Sequence, residues 1–182
     1  KVVAPRVQMG DNVKPGRVVL FQPRCEGVKG PCDGEFKSVV TGRLASELEF
    51  AGYRIIRGDE LLASARERTT AGASLEGAGP LGAYWASAGA AVESVTTYAD
   101  LPPAGKRALL EEAKAEGVII VSVLVGADES DALMHDLHTF ELTARYTMGP
   151  DEDLGWVVRC TQQGDRGNNT VAIDISYPEA AD

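Results

Sequence analysis

The run Val118-Ile119-Ile120-Val121-Ser122-Val123-Leu124-Val125 is apolar at every position but Ser122, and most of it is β-branched. Side chains of a strand point alternately to its two faces, so a run that is apolar throughout leaves neither face wet. Such a strand must lie centrally in a sheet, with other elements covering it above and below. The rest of the chain has to supply that cover.

Upstream, Arg17 to Gln22 is a second, shorter apolar run and reads as another strand covered on both faces. A helix follows, with Phe36, Val39, Val40, Leu44, Leu48 and Ala51 as its apolar stripe and Gly52 past its end. Tyr53-Arg54-Ile55-Ile56 then reads as a short strand. Asp59 is placed to N-cap a second helix through Leu61, Leu62, Ala65 and Arg68. Residues 71–91 hold 8 Ala and 5 Gly, and read either as a loop or as an Ala-rich helix beginning near Leu81. Pro102-Pro103 opens another helix with Leu109, Leu110 and Ala113 inward.

Beyond the central run the period changes to two. Phe140, Leu142, Ala144, Tyr146 and Met148 alternate with polar residues, Trp156 to Thr161 reads as an antiparallel partner, and Val171 to Tyr177 alternates as a last strand. Helices early and strands late predict an α/β or α+β fold, a mixed sheet with helices packed mainly on one face. Residues 1–16 read as an extended lead-in, 17–178 as one domain with an Ala/Gly-rich insert at 71–100, and 179–182 as a tail.

Cys25 and Cys32 bracket a turn rich in Gly and Pro between the first strand and the first helix. Their spacing suits a disulfide that closes a short loop and removes roughly 2–3 kcal/mol of unfolded-chain entropy. Such a bond persists in an oxidising compartment, which points to an exported protein. Two unrelated thiols are the plain alternative; zinc fits less well, because C-x6-C lacks the C-x2-C spacing. Cys160 falls in an apparent strand and reads as a small buried hydrophobe.

The element order resembles the periplasmic α/β domain shared by the TolB N-terminal region, the curli-export lipoprotein CsgG, and LpoB, the lipoprotein activator of penicillin-binding proteins. The resemblance rests on Gly52-Tyr53-Arg54-Ile55-Ile56, on Ala115-Glu116-Gly117-Val118-Ile119-Ile120, and on Gly126 after the strand, and runs over about residues 17–163. It implies the anticodon-binding-domain-like architecture of the TolB N-terminal region. It also implies a scaffold for protein contacts in the bacterial envelope, with no shared catalytic residues. The insert at 71–100 and the strand at 170–177 depart from the pattern.

Function expectations follow from charge and motif. Residues 1–57 carry 10 Lys and Arg against 6 Asp and Glu, while the whole chain is at −9, so its body is acidic. That balance argues against nucleic acid as a partner, since phosphate neutralisation needs a basic footprint. Tyr84 and Trp85 are candidate partner-binding anchors on the insert, with core cover as the alternative role. The competing chemistry is a metal site or metal-dependent hydrolase built on His135 and His138 with Asp131, although H-x2-H is not the spacing of a helical metalloprotease motif. The preferred reading is a non-catalytic, exported envelope domain, periplasmic or associated with the outer membrane, that needs no cofactor and binds an envelope protein. Lys1 is no initiator Met, so an export signal or a membrane tether would belong to a segment before it.

Overall fold

The Val118 run lies where its composition demands. In the computed structural model it forms β4 (Gly117–Ala127), flanked by parallel β1 (Arg17–Leu20) on one side and antiparallel β5 (His138–Met148) on the other. The structure describes residues 15–27, 34–70, 77–88, 97–127, 138–165 and 168–176. β3 (Arg54–Arg57) pairs parallel with β1, placing Val18 against Ile55 and Val19 against Ile56. β6 (Asp153–Asp165) and β7 (Asn168–Ser176) extend the other end as an antiparallel meander. The order β3-β1-β4-β5-β6-β7 is a mixed sheet, as expected.

One strand was not expected. β2 (Arg24–Gly27) resumes the line of β1 after three residues and pairs with the far half of β4, Cys25 lying in register with Val123. Cys25 therefore sits on a strand rather than in the turn that the sequence suggested. Cys32 lies outside the described residues.

The helices take both faces unequally. α2 (Gly58–Thr70), α3 (Gly79–Ala88) and α4 (Pro103–Ala113) share one face. There Leu62, Ala65, Leu81, Trp85, Leu109, Leu110 and Ala113 close over Val19, Phe21 and Val118. α1 (Gly34–Phe50) covers the other face, where Ala45 and Leu48 pack with Val18, Leu20, Ile119, Val121, Ala144 and Tyr146. Three helices on one side against one on the other matches the expected bias.

The buried face of α1 differs from the predicted stripe. Thr41, Ala45 and Leu48 are buried, whereas Val39 is exposed. The small side chains at 41 and 45 let the helix approach the sheet, and Thr41 satisfies its hydroxyl by donating to Lys37 O at 2.6 Å. The helix ends as expected, with Gly52 at φ +101°, a conformation that costs glycine little. α2 begins at Gly58, one residue before the predicted cap, so Asp59 lies in its first turn.

An aromatic cluster anchors the α1 side. Trp156 Nε1 donates to Tyr53 Oη at 3.1 Å, and the Tyr146 ring lies 5.6 Å from Trp156 and 6.0 Å from Tyr53 between centroids. Gly117 and Gly155 make room for Tyr146: a β-carbon at either position would come within 3.0 Å of its ring.

Candidate functional site

Among the described residues the two core layers take up the apolar faces of β1 and β4, and a recessed polar surface forms at strand ends. At the carboxyl ends of β1 and β3 a cleft of about 230 Å³ opens between α1 and α2. Gln22 and Arg57 come from the strand ends, Ser38, Thr41 and Gly42 from α1, and Asp59 and Glu60 from α2. Open α/β sheets place ligand crevices at this end of their strands, because helix starts and chain turns converge there. Asp59 is partly committed to structure: its Oδ2 accepts from Gln22 N at 2.9 Å and ties α2 to the end of β1. The lining offers a guanidinium, two carboxylates and hydroxyls, and neither imidazole nor thiol. It can hydrogen-bond a polar group but presents no nucleophile–base pair. Sequence reading missed this cleft because its residues come from three separate stretches; Asp59 was noticed, but for another role.

Tyr84 and Trp85 lie elsewhere, and the burial of Trp85 speaks against the role expected of it. Both are on α3, a helix and not a loop. Trp85 is 5% exposed within the cluster of Val19, Phe21 and Leu109, and the Arg66 guanidinium sits 5.8 Å from its ring centroid. Tyr84 is half-buried and packs on the same cluster. With its ring turned into the core, Trp85 cannot reach a partner. The burial of Trp85 fits core cover, the alternative role, while Tyr84 keeps part of its surface open.

α3 is held down by a polar staple. Glu112 of α4 accepts from Leu81 N at 2.9 Å and pairs with Arg68 of α2, whose Nε also donates to Ala78 O at 3.2 Å. Removing the Glu112 carboxylate strands the Leu81 amide and takes from the Arg68 guanidinium its charge partner, leaving it the bonds to Ala78 O and Ser64 Oγ. Glu112→Ala is expected to cost about 2 kcal/mol, since breaking a buried pair leaves the surviving partner unsatisfied. A urea titration checks it: the midpoint falls while the slope stays at the wild-type value.

The residues of the metal reading are not brought together by anything described. His135 and Asp131 lie outside the described residues, and His138 opens β5 in register with Ala127 and Gly164. Among the described residues no three His, Cys, Asp or Glu side chains gather in a metal-binding group. Cys160, on β6, is a free, half-buried thiol. No described helix is long and apolar enough to cross a membrane.

The fold defined by this sheet and its two helical layers is an α/β domain also seen in a bacterial lipoprotein. No family model matches the chain, and no curated protein matches it. Among solved structures, a lipoprotein from Neisseria meningitidis is similar over 86% of this chain and 88% of its own, at 13% identity and a TM-score of 0.50. The C-terminal domain of LpoB from Escherichia coli is similar over 84% of this chain and 86% of its own, at 14% identity and a TM-score of 0.47. The same domain from Salmonella enterica covers 89% and 86%, at 10% identity and 0.45. The resemblance to the envelope lipoprotein group read from element order is borne out at the level of fold.

Proposed function

We propose that this chain is an exported domain of the bacterial cell envelope that works by binding another protein, without catalysis of its own. The observation that carries the reading is the fold shared with the Neisseria meningitidis lipoprotein along 86% of the chain. Fold alone does not fix function, so the reading also leans on chemistry. The Cys25–Cys32 pairing, with Cys160 left as the free thiol, is proposed as the oxidised staple of an exported protein. It would fasten the end of β2 to the segment that leads into α1.

With Trp85 in the core, a partner must meet other surface. Among the described residues, the cleft beside Arg57 has hydrogen-bonding capacity, and Val39, Phe50, Leu124 and Met148 are exposed apolar side chains.

Fractionation tests the location. The whole gene product, expressed in its natural host and followed by antibody, is expected in the envelope fraction and cross-linked there to a second protein. Recovery in the cytosol would overturn the export reading. Envelope recovery without any cross-linked partner at physiological expression would overturn the binding reading alone.

A further inference from the structure

We propose that the cleft between α1 and α2 binds a small zwitterion, an ammonium and a carboxylate joined by a short bridge as in an α-amino acid. The charges of the lining carry this. Arg57 stands at the end of β3, and Asp59 and Glu60 lie in the first turn of α2 beside it. Among the described residues, no ion pair joins Arg57 to either carboxylate, although all three line one cleft. Asp59 spends Oδ2 on Gln22 N at 2.9 Å, and its Oδ1 and the Glu60 carboxylate stay open to a ligand.

A guanidinium matches a carboxylate, which it grips through two parallel N–H bonds. The carboxylates of α2 match an ammonium. A ligand bearing both ends bridges charges that the chain itself holds apart. A ligand with one charge leaves the opposite charge of the cleft unmatched.

The α1 wall is a second, independent observation. Ser38, Thr41 and Gly42 line the cleft at i, i+3 and i+4, one face of the helix. Glycine inside a helix is destabilising relative to alanine, and it suits a place where another group must come close. No atom stands within 4 Å of a β-carbon built at Gly42, so packing within the chain does not call for it. The room it leaves belongs to the cleft. Thr41 is 4% exposed and its hydroxyl already donates to Lys37 O at 2.6 Å, so towards a ligand it can only accept. That suits an ammonium. Size sets the limit: about 230 Å³ is below the roughly 300–1,000 Å³ of sites for drug-sized ligands. The lining residues include no aromatic ring and no Leu, Ile, Val or Met to bury an apolar body. One or two residues' worth of ligand, held by its charges, is what fits.

This site is independent of the envelope reading, and either can fail while the other stands. The test is an NMR titration of the whole chain near neutral pH with L-alanine and with the dipeptide alanyl-alanine, each to about 100 mM. Saturable shifts of the Gly42 amide are expected, with a Kd in the millimolar range, because charges in an open cleft bind weakly. The tighter of the two probes tells a free amino acid from a peptide. Acetate and methylammonium, with one charge each, should bind about tenfold more weakly or worse. Arg57→Gln should weaken binding of the zwitterion about tenfold. Asp59→Asn should do the same, since it keeps an acceptor for Gln22 N and loses only the charge. Gly42→Leu fills the room beside the helix and should abolish binding while keeping or raising the melting temperature, because leucine is the better helix former. No saturable shift with either zwitterion overturns the proposal. So does acetate or methylammonium binding as tightly, or binding indifferent to Arg57→Gln and to Gly42→Leu.

Discussion

Replacing Trp156 with alanine is expected to cost about 3–5 kcal/mol, the range for deleting a large buried aromatic. The indole fills the space under α1 beside Tyr146 and spends its one N–H on Tyr53 Oη. Its loss opens a cavity and also removes the donor to the Tyr53 hydroxyl, so the transfer and hydrogen-bond penalties add. Total stability of a domain this size is about 5–15 kcal/mol, so the variant sits near the limit of folding. Tyr53→Phe separates the contributions. It keeps the ring and removes only the acceptor, and should cost about 1–2 kcal/mol. Chemical denaturation of the three proteins checks this. A Trp156→Ala variant within 1 kcal/mol of wild type would contradict the placement of α1 over the sheet.

Alkaline pH is expected to remove several kcal/mol. Tyr98 and Tyr146 are each pushed from 10 up to about 12. For Tyr98 burial is the larger cause, followed by the charge of Glu152. For Tyr146 it is again burial, then Tyr53 and Glu116. Both phenols are raised in the folded state, and it is the neutral phenol that the fold favours. Their stabilisation is complete below pH 10 and is lost as pH rises from 10 towards 12. At roughly 1.4 kcal/mol per pH unit, each contributes about 2–3 kcal/mol across that window. The two rings lie in opposite core layers, Tyr98 against Phe21 and Tyr146 against Trp156, so ionising them opens both sides of the sheet. Equilibrium unfolding at pH 8, 9 and 11.5 is expected to show nearly constant stability between the first two and a steep fall at the third. Phenolate absorbance should then rise together with unfolding.

What could be read from the residues was the pattern that solvent imposes. β4 was legible because an unbroken β-branched run has one low-energy place, the middle of a covered sheet. The alternation from Phe140 to Met148 gave away β5 for the matching reason, one wet face. β2 was not legible: Arg-Cys-Glu-Gly has no strand pattern, and its pairing with β4 is a tertiary effect that outweighs local preference. The stripe of α1 was misread because hydropathy ranks Val39 above Thr41, whereas fit against the sheet selected the small Thr41 and Ala45. Trp85 was offered to a partner because its neighbours are Gly and Ala. In the fold Gly82 faces Thr69 of α2, Gly105 of α4 makes room for the Tyr84 ring, and the indole goes inward. The cleft joins the ends of β1 and β3 to two helices, and only the folded chain brings Gln22, Thr41 and Arg57 together.

Thiol chemistry decides most directly between export and its alternative. Material isolated from the natural host, alkylated before any reductant is added and mapped by mass spectrometry, should carry the label on Cys160 alone, with Cys25 and Cys32 recovered as one linked peptide. Label on all three sulfurs would contradict an oxidised, exported domain.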